Sequence, residues 1–170
     1  EIVASNSPSD LRRREADIAI RNFRPTEPDL IAKKLRDIPA RLFASPGYLD
    51  RIGNPTHVDG LVDAEFIGLD HTGNFLKGLT AMGLNVSERN LPVATESFLV
   101  MWALVKHGIG IGILDRDIGD AEPLVRRVLP DLAPLMFPMW LVAHRDLNTS
   151  RRIRMVFDLL AQELSRTPQV

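Results

Sequence analysis

The stretch TESFLVMWALVKHGIGIGIL, residues 95–114, places a helix, a stop and a strand in immediate succession. Phe98, Leu99, Val100, Met101, Trp102, Leu104 and Val105 leave it almost no polar face, which predicts a helix enclosed by the protein. Thr95 or Ser97 is placed to cap its start, a hydroxyl accepting from a free N–H of the first turn, and Glu96 suits the positive end of the helix dipole. Gly108 ends the helix, because glycine enters the left-handed conformation without a Cβ penalty, and Lys106 and His107 are cations at the negative end. The period then changes to two. From Gly108 to Ile113 glycine and isoleucine alternate, so a strand here carries isoleucines on one face and bare backbone on the other. A bare face admits a close neighbour, either a packed helix or a ligand. It is a poor dinucleotide fingerprint: the last glycine of G-x-G-x-x-G is missing, and the glycines follow a helix where that motif needs a strand.

Working outward, 170 residues suffice for one domain or two small lobes. With 45% hydrophobic and 25% charged residues and a mean hydropathy of −0.03, the composition is globular, with material for a real core. A net charge of −1 gives no electrostatic footprint for duplex DNA. The absence of cysteine excludes disulfides and thiolate chemistry, and fits a reducing, cytoplasmic setting. No apolar run reaches the length of a membrane span, and the first residues do not form a signal peptide. The chain opens on Ile2 and Val3 like a strand entered midway, as a fragment lacking its upstream part would.

Residues 1–5 read as a short strand and Ser7-Pro8-Ser9-Asp10 as a capped helix start. Arg12, Arg13 and Arg14 form a charge run, a solvated face more readily than a phosphate site. Strands are expected at residues 17–20, 30–35 and 38–44, the last a candidate to continue into a crossing between lobes, and a helix begins at Ser45-Pro46 and stops at Gly53. Thr56 and Asp59 resemble a further box-like start. Residues 64–69 read as a buried strand, and Phe75, Leu76, Leu79 and Met82 as the apolar stripe of a helix stopped by Gly83. Residues 85–91 alternate like a half-exposed edge strand. A short helix or turn over 115–120, strands at 124–129 and 139–143, and a helix capped by Ser150 complete the chain.

Three strand ends are candidate ligand contacts, because ligands of open α/β sheets sit beyond the carboxyl ends of strands. They are Arg21 and Asn22; the turn holding His71, Thr72, Gly73 and Asn74; and Thr95, Glu96 and Ser97. The alternatives are a surface arginine in the first case and plain helix caps in the other two. Together they favour a pocket for a small polar or anionic molecule. The four histidines lack metal-site spacing, and there is no G-x-S-x-G elbow and no phosphate loop, so no catalytic residue, metal ligand or cofactor site is assigned.

Four landmarks in order, EADIAIR, LFASPGYLDRIGNPTHVDGLVDAEFIGL, VKHGIGIGIL and SRRIRMVFDLLAQEL, resemble the effector-binding domain of LysR-type transcriptional regulators over essentially the whole chain. The resemblance implies an α/β fold of two Rossmann-like lobes joined by two crossing strands, the type 2 periplasmic binding protein arrangement, with an effector such as an organic acid in the cleft between them. Lobe I would take residues 1–42 and 137–170, lobe II residues 43–136, and the crossings would fall at Phe43 and Ala44 and at Met139, Trp140 and Leu141. Arg21, Asn22, the 71–74 turn and residues 95–97 match the family's effector positions. The family's first strand and helix are missing, as is its winged helix-turn-helix, so this chain alone is expected not to bind DNA. Effector-driven lobe closure would re-angle the DNA-binding domains of a homodimer or homotetramer, with residues 75–82 and 85–91 as contacts between copies. The alternatives are a periplasmic solute-binding protein of the same fold and a small enzyme on that scaffold.

Overall fold

The computed structural model describes residues 1–3, 10–13, 15–69, 73–146 and 150–166. The helix start at Ser7 and Pro8, the end of the first expected strand, and His71 and Thr72 lie outside the described residues. The chain divides into two compact units, one of Glu1–Ile38 with Met136–Val170 and one of Pro39–Leu135.

In unit 1, β1 (Ile18–Arg21) pairs antiparallel with β7 (Leu135–His144), so that Ile18 faces Ala143 and Arg21 faces Trp140. Leu141 and Val142 are fully buried. Helix α5 (Arg151–Leu164) follows; Ser150 occupies its cap position but makes no side-chain capping bond.

The strands expected over 30–35 and 38–44 are one element, β2 (Leu30–Ala44), which begins in unit 1 and ends in unit 2. Its second half pairs antiparallel with β5 (Gly112–Asp115), Phe43 opposite Gly112, and its last residues with β6 (Arg126–Arg127). Strand order is β1-β7-β2-β5, with β6 also on β2. A separate parallel pair, β3 (Ile67–Gly68) and β4 (Val93–Ala94), completes the strands. Four helices belong to unit 2: α1 (Pro46–Arg51), α2 (Asn74–Ala81), α3 (Phe98–Lys106) and α4 (Arg116–Ala121). Ser45 caps α1 by accepting from the Tyr48 N–H at 3.2 Å.

Residues 95–114 fold back on themselves. Ser97 caps α3, accepting from the Val100 N–H at 3.4 Å, and Gly108 stops it at φ +73°. The inner face of α3 then lies on the glycines. A Cβ on Gly112 would stand 2.5 Å from Met101 Sδ and 2.6 Å from Val105 Cγ2, and one on Gly110 would stand 2.8 Å from the Glu65 carbonyl oxygen. The bare face is therefore occupied by a packed helix, and Met101 and Val105 share the interior with Phe43, Ile67 and Val125. Phe43 is held in turn by Gly119, whose Cβ its ring would exclude, and by an edge-on contact with Trp102 at 6.1 Å.

Several expectations are corrected. Helix α3 is not enclosed: Leu99 is 77% exposed, and Phe98 and Val100 are also exposed, because the helix meets the sheet along one narrow stripe. The regular strand starts only at Gly112, and Ile109 faces outward. Residues 64–69 contribute the two-residue β3 and an isolated bridge from Phe66 to Ile111. Residues 85–91 form no strand. The buried Asn90 side chain accepts from the Ser87 N–H and donates to the Val62 and Ala64 carbonyls at 2.8 and 2.9 Å, which holds a 3-10 turn over Glu88–Asn90. Thr56 is not a cap; His57 precedes the 3-10 turn Val58–Leu61 without a side-chain bond.

The glycine contact yields a stability prediction. Gly112→Ala should lower unfolding free energy by about 1–3 kcal/mol, the range for overpacking a filled interior. Gly47→Ala, with nothing within 4 Å of the added carbon, should be close to neutral. Urea denaturation of both variants checks this, and equal midpoints would contradict it.

Candidate functional site

The carboxyl edge of the β3/β4 pair assembles two of the three candidate strand ends. Ile67 is opposite Val93 and Gly68 opposite Ala94 in parallel register, so both chains leave the pair on the same side. The Thr95 N–H extends the ladder by donating to the Gly68 carbonyl at 2.9 Å. A Cβ on Gly68 would already be 3.2 Å from the Ala94 Cβ, so the two strands are in close contact. From this edge β3 leads to α2, whose N-cap Gly73 sits at φ +76° and has no side chain to cap with. From β4 the chain passes Thr95 and Glu96 to the cap of α3 at Ser97.

Local hydrogen bonding fixes the second of these turns. Thr95 Oγ1 accepts from the Ser97 N–H at 3.1 Å, and Ser97 Oγ accepts from the Val100 N–H. Each hydroxyl keeps its own hydrogen to donate. The Met101 N–H makes the first intrahelical bond, to the Ser97 carbonyl at 2.9 Å, which leaves the Phe98 and Leu99 N–H groups ahead of the ladder. Two hydroxyl donors and two helix N–H groups suit an anionic or carbonyl oxygen. Glu96 is exposed beside them and repels a purely anionic molecule, so a ligand carrying a hydroxyl or amino donor as well fits better.

The third candidate lies in unit 1 and is not a surface arginine. Arg21, last residue of β1, has a side chain only 5% exposed, with Nη1 3.1 Å from Glu27 Oε1 and the guanidinium 5.5 Å from the Phe23 ring centre. Asn22 beside it is exposed. The Glu27 carboxyl is held below the ordinary glutamate range, first by its own backbone N–H and then by Arg21. Arg24 covers the Trp140 ring at 5.7 Å.

The residues expected at the crossings lie within strands. Phe43 and Ala44 are buried in unit 2 at the end of β2, and Met139, Trp140 and Leu141 lie within β7 in unit 1. The unit boundaries fall earlier in both strands, between Ile38 and Pro39 and between Leu135 and Met136. Among the described residues no group of three or more His, Asp or Glu side chains is arranged to hold a metal, and no helix is long and apolar enough to cross a membrane.

Two supporting residues were not singled out from sequence. Tyr48 Oη accepts from the Glu65 N–H at 2.7 Å and donates to the Glu65 carbonyl at 3.2 Å, and burial pushes this phenol above its ordinary range. With Asn90 it anchors the chain that enters β3. These partners are far apart in sequence, so no local pattern marks them.

Comparison with known proteins follows from this architecture. The α/β fold, with its strand-end turns, is that of the regulatory domains of LysR-type regulators, which have the type 2 periplasmic binding protein-like fold. The chain matches the family described as LysR substrate binding domain over residues 1–165, and it belongs to that family. It is 28% identical over 169 residues to the HTH-type transcriptional regulator CrgA of Neisseria meningitidis serogroup C (strain 8013), an alignment covering 96% of this chain and 56% of that protein. The chain thus spans little more than half the length of the curated relative. The solved CrgA regulatory domain superposes with a TM-score of 0.75 at 25% identity, covering 90% of this chain and 78% of that one. The CcmR regulatory domain of Synechocystis PCC6803, solved in complex with 2-PG, shares the fold at a TM-score of 0.70 and 18% identity, covering 94% and 78%.

The Arg21–Glu27 pair carries a pH prediction. A depressed folded-state value means the stabilisation is present at neutral pH and is lost as pH falls through that folded value. In a carbon-detected NMR titration Glu27 should titrate below the ordinary glutamate range, and Arg21→Gln should move it upward. An unmoved Glu27 curve would remove Arg21 as a cause.

Proposed function

We propose that the chain is the effector-sensing domain of a bacterial transcriptional regulator, and that a small organic acid bearing a hydroxyl or amino group binds at the carboxyl edge of β3 and β4. The observation that supports this reading is the parallel pairing of Gly68 with Ala94, from which Thr95, Glu96 and Ser97 lead into α3; Gly73 and Asn74 at the start of α2 are proposed to join them. His71 and Thr72 complete the turn in sequence. The hydroxyls and helix N–H groups would receive the acid's oxygens, and Glu96 its donor group. The CcmR regulatory domain, of the same fold and solved in complex with 2-PG, supports a small molecule as the ligand.

On this reading the ligand is released unchanged, and the response is regulatory. A ligand can shift a conformational equilibrium only through its differential affinity for the two states. DNA contact would be made by another part of the whole regulator, acting in the cytoplasm as a homodimer or homotetramer; full-length CbnR, of the same fold, has been solved with its target DNA. The net charge of −1 on this chain agrees with that division of labour. Phe75 and Leu79 are buried within the chain, so a contact between copies at residues 75–82 would use the more exposed side chains of α2. Family membership and the curated regulator relatives favour this reading over a periplasmic solute carrier.

A thermal-shift screen of hydroxy acids, keto acids and amino acids tests the proposal, since a ligand of the folded state raises apparent stability. At least one hydroxy acid should raise the melting temperature. Ser97→Ala should then weaken its binding about tenfold in calorimetry, the loss of one charge-assisted hydrogen bond. Acids that shift nothing, or a Ser97→Ala protein that binds unchanged, would overturn it.

A further inference from the structure

Helix α1 grips two elements that lead to the proposed ligand edge, each at the end remote from that edge. The edge lies where β3 ends and α3 begins. Tyr48 acts where β3 is entered: its Oη accepts from the Glu65 N–H at 2.7 Å and donates to the Glu65 carbonyl at 3.2 Å. The same carbonyl accepts from the Ile111 N–H at 2.9 Å, so α1, the chain entering β3 and the glycine run of 108–113 meet at one residue. Arg51 acts where α3 stops. Its Nη2 donates to the Gly108 carbonyl at 2.9 Å, and its guanidinium lies 4.7 Å from the centre of the Tyr48 ring. Ser45 closes the same junction, because a Cβ on Gly108 would stand 2.9 Å from Ser45 Oγ.

A phenol that accepts and donates at once fixes direction as well as position, since its single hydrogen and its lone pairs are satisfied together. Glu65 stands three residues before Gly68, whose carbonyl receives the Thr95 N–H at 2.9 Å. A displacement at Glu65 is therefore carried along extended backbone to the turn that caps α3. Arg51 sets the opposite end of the nine-residue α3, about 14 Å along the helix from Ser97. We infer that Tyr48 and Arg51 are positioning residues for the ligand edge, holding the end of β3 and the start of α3 in place from α1 without contacting the ligand. The inference rests on the ligand reading proposed above, and adds to it two residues whose loss weakens binding at a distance. Sites of this kind lose affinity when the groups that support them loosen.

Calorimetry on the 170-residue protein tests it, with whichever of glycolate, lactate, malate, tartrate and citrate gives the largest thermal shift as the probe. Tyr48→Phe keeps the ring under Arg51 and removes only the hydroxyl; it should weaken binding at least about fivefold, part of the cost of a lost buried hydrogen bond. Arg51→Ala, at an exposed position, should weaken binding about threefold and keeps the test open if the first variant does not fold. Val128→Ala, a buried truncation outside these contacts, is the control: it should lower the urea midpoint and leave affinity unchanged. In the ligand-free protein, Tyr48→Phe should also speed hydrogen exchange of the Thr95 amide by more than its loss of global stability accounts for. Affinity unchanged in Tyr48→Phe and Arg51→Ala, or lost equally in Val128→Ala, would overturn the positioning role alone. Failure of all five acids to bind the unaltered protein would overturn the ligand reading, and this inference with it.

Discussion

The contact between α3 and Gly112 is the constraint on which unit 2 depends. Met101 and Val105 stand where a side chain on Gly112 would be, so the helix approaches the backbone of β5 more closely than any other residue there permits. That approach fixes the depth of α3, and with it the position of its cap at Ser97. The opposite partner of Gly112 across the sheet is Phe43, whose ring fills the space left by Gly119. Gly112 thus seats α3 and Gly119 seats the Phe43 ring, both in one shared interior.

The proposed ligand edge inherits its geometry from this packing. Ile67 lies in the same interior as Met101 and Val105, so β3 is tied to the underside of α3 as well as to β4. Tyr48 and Asn90 hold the chain entering β3 by its backbone, leaving little freedom in where that strand ends. Helix starts that emerge from a fixed strand pair present their N–H groups without first being ordered, which lowers the cost of binding.

Much of this was legible in the sequence because it is local. The cap at Ser97, the stop at Gly108 and the glycine face of 108–113 depend on neighbours within a few residues, and all three are present. The enclosure of α3 was misjudged because hydrophobicity reports a tendency to be buried without saying by what; Leu99 and Val100 are apolar and exposed. Residues 85–91 alternate like a strand, but the Asn90 side chain satisfies the backbone of Val62 and Ala64, and a long-range bond outweighs local period. Of the candidate site, the strand-end positions were readable from strand and cap patterns. The parallel pairing of β3 with β4 was not, because it is a contact between distant segments. Nor was the burial of Arg21, which depends on Glu27 and Phe23 folding back over it.

The central claim is that the strand ends of β3 and β4 form one ligand-binding edge. Amide chemical-shift mapping during titration with a stabilising organic acid tests it most directly. The account predicts that the largest shifts fall together on Gly73, Asn74, Ser97, Phe98 and Leu99, saturating along one binding curve. Saturable shifts concentrated elsewhere, with the Ser97 to Leu99 amides unmoved, would contradict it.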